Sequence, residues 1–94
     1  MKKVPEAELA RRALSLQKRL NERGIDFCLF AQKADRYYLS GTVQDGVCLL
    51  AREGEPVLFV RRTFERALEE SSLKKVLPYG RFDDLRSYVK DNGI

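Results

Sequence analysis

Leu9, Ala13, Leu16 and Leu20 recur at spacings of four, three and four, while Arg11, Ser15, Lys18 and Glu22 fall on the opposite side. That period predicts an amphipathic helix from Pro5 to Arg23 with one face on a core. Pro5 suits the first turn, where a missing N–H costs nothing. Glu6 and Glu8 favour the positive end of the helix dipole, and Arg19 and Arg23 the negative end. Gly24 supplies the left-handed residue that stops the helix. Ile25 to Ala31 is then nearly all apolar, rich in aromatic and branched residues and short, which predicts a strand covered on both faces and central in its sheet.

Gln32 to Leu39 passes from polar to aromatic, compatible with one or two helical turns that lay Tyr37, Tyr38 and Leu39 against the core before Ser40-Gly41 ends them. Gly46 to Arg52 and Pro56 to Arg61 are strand-like runs about Glu53-Gly54-Glu55, a β-hairpin with Gly54 placed for positive φ. Thr63 is positioned to cap a helix that buries Phe64, Ala67 and Leu68 and runs to about Glu70. Lys75 to Pro78 forms a short strand. Asp83 is positioned to cap a last helix with Leu85, Tyr88 and Val89 inward and Gly93 as its stop. Helix, strand, short helix, hairpin, helix, strand, helix is the order of an α/β domain with a mixed sheet, part hairpin and part crossover.

Ninety-four residues, 44% hydrophobic and 34% charged, form one domain able to bury a core without disulfides or metals. Eighteen Lys plus Arg against 14 Asp plus Glu leave a net charge of +4, with the two signs interleaved. The densest basic pairs, Lys2-Lys3, Arg11-Arg12, Lys18-Arg19, Arg61-Arg62 and Lys74-Lys75, are spread along the chain instead of gathered into a phosphate-binding run. No stretch is long and apolar enough for a membrane span or signal peptide, so a soluble cytoplasmic protein is expected, without membrane partners. Cys28 and Cys48 sit in apolar runs and are expected as buried free thiols.

The chain has no histidine. Ser-His, Cys-His and His-metal arrangements are therefore absent, and no side chain titrates near neutrality without a shifted environment. Glu69-Glu70 and Asp83-Asp84 are sequence neighbours whose side chains diverge around a helix. The six glycines stand singly, with no phosphate-loop spacing. No catalytic residue and no metal ligand is assigned. The candidate binding residues are Tyr37 and Tyr38, near the end of the first strand where α/β sheets meet ligands, and Arg61 and Arg62 after the hairpin, suited to pinning a carboxylate in bidentate fashion. Each has a plainer alternative: tyrosine packing in the core, and arginine at the surface or paired with Glu65 or Glu69.

Gly24-Ile25-Asp26 after a long basic helix, then Tyr38-Leu39-Ser40-Gly41, then Pro56-Val57-Leu58-Phe59-Val60 closing a hairpin, then Glu65 to Ala67 opening a helix, resemble the N-terminal domain of the creatinase/prolidase family. That family includes Xaa-Pro dipeptidases and Xaa-Pro aminopeptidases. The likeness spans essentially the whole chain. Asp35 stands where many relatives have Asn, and Thr42 where Phe is frequent, differences that bear on fine substrate preference.

The resemblance implies a three-layer α/β/α domain, with a ribonuclease H-like motif and a mixed sheet of about four to five strands. It implies an accessory role for residues 1–94: pairing subunits in a homodimer and lending a wall, with Tyr37, Tyr38, Arg61 and Arg62 nearby, to a substrate site for proline-containing peptides. Hydrolysis before proline, by hydroxide on a pair of Mn, Co or Zn ions, would belong to a C-terminal metallopeptidase domain absent from this chain. A creatinase-like amidinohydrolase or an inactive homologue would use the same first domain. A different reading, a stand-alone basic nucleic-acid-binding module, fits poorly, because neither the element order nor an aromatic-glycine signature of an RNA-recognition sheet is present. Finally, Asn21 to Ile25 and Lys90 to Ile94 end their helices alike, and a strand follows the first; the expectation is a fragment or shortened protein whose next strand is missing.

Overall fold

The computed structural model describes residues 3–94, so Lys2 of the first basic pair lies outside the described residues. The elements are α1 (Glu6–Glu22), β1 (Phe27–Phe30), α2 (Lys33–Ser40), β2 (Gly46–Ala51), β3 (Val57–Val60), α3 (Phe64–Glu70), β4 (Lys75–Pro78) and α4 (Phe82–Asp91). The four strands lie in the order β1-β2-β3-β4. β1 and β3 run antiparallel to β2, with Cys28 opposite Leu50 and Cys48 opposite Leu58, and β4 runs parallel to β3, with Val76 opposite Leu58. The expected mixed α/β sheet is therefore present.

Alternation along the strands builds two cores. Cys48, Leu50, Leu58, Val60 and Val76 meet Ala13, Leu20, Leu39 and Ala67, so α1, α2 and α3 contribute to one face. Val47, Leu49, Val57 and Phe59 meet Leu85 of α4 on the other. This is the three-layer α/β/α arrangement. Phe59 anchors the second core through edge-to-face contacts with Tyr79 and Tyr88, at centroid separations of 6.2 and 5.2 Å. Cys48 is fully buried, which pushes its thiol up to about 12, and Cys28 is a half-buried free thiol.

Buried amides and turns fix the layers to one another. Gln17, buried on α1, donates its amide to the carbonyls of Ala51 and Gly54, and so ties the helix to the hairpin. The helical stripe gave no hint of it, because Gln17 sits beside Leu16 and Leu20 as a polar residue on an apolar face. The ends of α1 and α4 do match: Gly24 and Gly93 take φ of 66° and 65°, and the amides of Ile25 and Ile94 donate to Leu20 and Val89.

Several local expectations require correction. β1 has four residues, not seven, each of them only half-buried, and among the described residues it pairs with β2 alone. Its apolar run reflects two helical layers over its faces, which covers side chains without supplying a neighbour for its outer edge. Tyr37 and Tyr38 are 38% and 40% exposed and only Leu39 of that trio is buried, because an eight-residue helix turns a narrow face to the sheet. Leu68 is 47% exposed, so the stripe of α3 narrows to Phe64 and Ala67. Thr63 precedes α3 but makes no capping bond, and its hydroxyl is buried without a partner. At α4 the capping carboxylate is Asp84, not Asp83: it accepts from the amides of Arg81 (3.0 Å) and Gly80 (2.9 Å), which holds it below its usual range.

Candidate functional site at the carboxyl ends of the parallel strands

β1, β3 and β4 point the same way, and the chain leaves β1 at Ala31 and β3 at Arg61 on one end of the sheet. α2 and the loop from Gly41 to Asp45 arch over that end and return to β2 at Gly46. Gly41 at φ 76° reverses the chain after α2. Ser40, fully buried, donates its hydroxyl to the Arg36 carbonyl at 2.5 Å, and Ser71, which follows α3, donates its own to the Ser40 carbonyl. Two small hydroxyls thus lock α2, its loop and the end of α3 together.

A cleft of about 450 Å³ opens there, lined by Tyr37, Gly41, Thr42, Val43, Glu69 and Glu70, with Lys3 at its margin. Glu70 is fixed across it. Its carboxylate accepts from the Thr42 hydroxyl at 2.6 Å and from the Gln44 amide at 3.0 Å. Those two bonds, the threonine's first, hold the Glu70 carboxyl below its usual range, against the opposing effect of partial desolvation. A carboxylate lowered this way stabilises the fold at pH above its unfolded value near 4.5 and ceases to do so as pH falls through its lower folded value. Thr42→Val is expected to cost about 1 kcal/mol at neutral pH, the net value of such a bond. It should also flatten the loss of stability as pH falls below about 4.5, which urea titrations at several pH values would measure.

The structure divides the four candidate residues. Tyr37 borders the cleft. Tyr38 is engaged by α1: the Arg12 guanidinium lies 5.0 Å from its ring centroid and donates to its carbonyl at 2.9 Å, while Glu8 accepts from both Arg11 and Arg12. That double pairing brings the Glu8 carboxyl down to about 2. Arg61 and Arg62 are exposed beyond β3, at the same end of the sheet, and no ion pair joins either to Glu65 or Glu69 among the described residues. Cations elsewhere are dispersed among acids, as where Lys74 lies between Glu6 and Glu55.

Sequence reasoning missed Arg36. It is 8% exposed, its Nη1 donates to the Ala31 carbonyl, and its Nε is buried with no partner. The signal was available: Arg36, Leu39 and Ser40 stand at i, i+3 and i+4, so the arginine shares the buried face of α2.

No group of three or more His, Cys, Asp or Glu side chains able to hold a metal ion occurs among the described residues. With histidine also absent, this chain's donors do not fit the metal pair expected of the family, and none of its residues is assigned to it. Against known sequences, a profile of the creatinase/prolidase N-terminal domain matches residues 12–94. The chain belongs to this family. Its fold agrees with a Xaa-Pro dipeptidase from Bacillus anthracis, at TM-score 0.78 and 21% identity over 90% of this chain and 25% of that one. It also agrees with a prolidase from Pyrococcus furiosus, at TM-score 0.67 and 30% identity over 78% of this chain and 22% of the other. The creatinase/prolidase N-terminal domain of an X-Pro dipeptidase from Streptococcus pyogenes matches at TM-score 0.67 and 21% identity, over 86% of this chain and 70% of that domain. No curated protein matches in sequence. This creatinase/prolidase domain thus spans about a quarter of the full-length relatives, and no helix among its described residues is long and apolar enough to cross a membrane.

Proposed function

We propose that this chain is the non-catalytic N-terminal domain of a cytoplasmic Xaa-Pro metallopeptidase, that a C-terminal catalytic domain carries the metal pair and the chemistry, and that residues 1–94 contribute subunit pairing and a wall of the substrate site. The observation that carries the reading is the family match over residues 12–94, in a fold that superposes on about a quarter of a full-length dipeptidase.

Exposed Tyr37, at the cleft, and exposed Arg61 and Arg62 are the side chains proposed for the wall; Tyr38 presents its ring to Arg12 and acts in holding α2 to α1. In this role the arginines would meet a peptide carboxylate and Tyr37 an apolar side chain, both by positioning and neither by bond-making. The test is an assay of Xaa-Pro dipeptides and tripeptides with Mn, Co or Zn added. The 94-residue chain should release no amino acid, and a polypeptide in which these residues precede a catalytic domain should do so. Hydrolysis by the short chain would overturn the division of labour.

A further inference from the structure

The chain enters α2 without a cap. Gln32 precedes the helix in extended backbone, at φ −71° and ψ 141°, and its side chain makes no bond to the first turn. The amides of Lys33, Ala34 and Asp35, all exposed residues, make no hydrogen bond among the described residues. Free N–H groups at the positive end of a helix dipole, beyond the carboxyl end of a strand, are where α/β folds hold oxyanions.

A second observation points to the same turn. Arg36 is 8% exposed, and its side chain folds back past the start of α2, where Nη1 donates to the carbonyl of Ala31, the residue before Gln32. Its Nε is buried without a partner, and no carboxylate lies within ion-pair distance of it among the described residues. A carbonyl does not neutralise a guanidinium, and buried cations in folded proteins are ordinarily matched by an anion. The surrounding charges agree. Exposed Lys33 and Asp35 offset each other, which leaves Arg36 unbalanced. On the α1 side, Arg19 and Arg23 line a small cleft beside Phe30, and neither is in an ion pair among the described residues.

We propose that the start of α2 is an oxyanion site, in which the amides of Lys33, Ala34 and Asp35 and the guanidinium of Arg36 hold a carboxylate or a phosphate group. Either group offers the same chemistry, two or more oxygens that accept from N–H donors, and Arg36 adds the charge that a backbone turn alone lacks. Every group that binds belongs to one turn of α2, so the site is set locally. The Asp35 carboxylate is the one acid on that turn and works against an anion. The site does not rest on the peptidase reading, and its failure would leave that reading standing.

Backbone amide resonances of the 94-residue chain, followed at neutral pH during titration with inorganic phosphate, Gly-Pro or Gly-Pro amide, test it against sodium chloride at the same ionic strength. Phosphate or Gly-Pro should shift Lys33, Ala34 and Asp35 saturably, with a dissociation constant of about 1–10 mM, and Gly-Pro amide should not. A response to phosphate alone assigns a free anion, and a response to Gly-Pro alone assigns the carboxyl terminus of a peptide. Arg36→Lys keeps the charge and loses the planar fork, which should weaken binding about tenfold. Because Arg36 also ties α2 to Ala31, the second variant is Asp35→Asn, which alters an exposed side chain alone and should tighten binding about threefold by removing the opposing charge. Shifts that do not saturate by about 50 mM, shifts that chloride reproduces, or an affinity that either variant leaves unchanged would each refute the site. A carboxylate of a longer polypeptide seated on Arg36 would do the same.

Discussion

Gly46→Ala is expected to destabilise this domain by about 3 kcal/mol or more, the upper part of the range for forcing atoms into packed structure. Gly46 opens β2, opposite Val60, and an added Cβ would lie 2.0 Å from the Phe59 carbonyl oxygen and 3.0 Å from its carbon. Those are backbone atoms of a strand held on both sides, by β2 and by β4, so they have nowhere to retreat without breaking a ladder. The φ of Gly46 is not left-handed, and the cost is therefore steric alone. Gly54 is the matched control. It has φ of 92° and open space where a Cβ would go, so Gly54→Ala should cost only the strain of that backbone, about 1 kcal/mol or slightly more. Urea denaturation of the three proteins compares them directly, through midpoints at unchanged slope. A Gly46→Ala protein as stable as Gly54→Ala would mean that β2 and β3 do not approach as closely as the register requires.

The contrast between those glycines also marks what the sequence disclosed. Gly54 was legible, because a lone glycine between two apolar runs announces a tight connection. Gly46 was read only as the first residue of a strand, since its constraint comes from β3 across the sheet and no local pattern records it. The same division holds for the elements. The order of helices and strands, the hairpin and the two glycine stops follow from periodicity and turn chemistry, which act within a few residues. The position of β1 did not follow. Its apolar run predicts covered faces, and the faces are partly covered, but whether a strand has one neighbour or two is settled by segments far away in sequence. At the candidate site, the absence of histidine ruled out most chemistry at once. The Glu70, Thr42 and Gln44 network was hidden, because it joins residues 26 and 28 positions apart through side chains that are ordinary surface polar types.

Tyr37 illustrates how the fold presents a site residue, and Leu39 is what makes that presentation possible. α2 has eight residues, too few to persist as an isolated helix, and its first turn has no side-chain cap. Leu39 is fully buried among Leu20, Cys48 and Val60, so it is the apolar anchor that seats the helix on the sheet. Polar ties add to it: Arg12 to the Tyr38 carbonyl, Arg36 to that of Ala31, and Ser71 to that of Ser40. Leu39→Ala is therefore expected to lower global stability by about 2–5 kcal/mol, the range for emptying a packed leucine site. It should act on α2 more than on the sheet. Because the lost contacts are those that hold α2 down, its amides from Arg36 to Gly41 should exchange through a local opening that needs less free energy than global unfolding. Leu14→Ala on α1, at a position 66% exposed, should move stability by no more than about 0.5 kcal/mol and leave that exchange unchanged. If Leu39→Ala cost less than about 1 kcal/mol, or if α2 exchanged only together with the sheet, then α2 would be held chiefly by its polar ties. The orientation of Tyr37 over the cleft would then depend on Arg12, Arg36 and Ser71 instead of on the core.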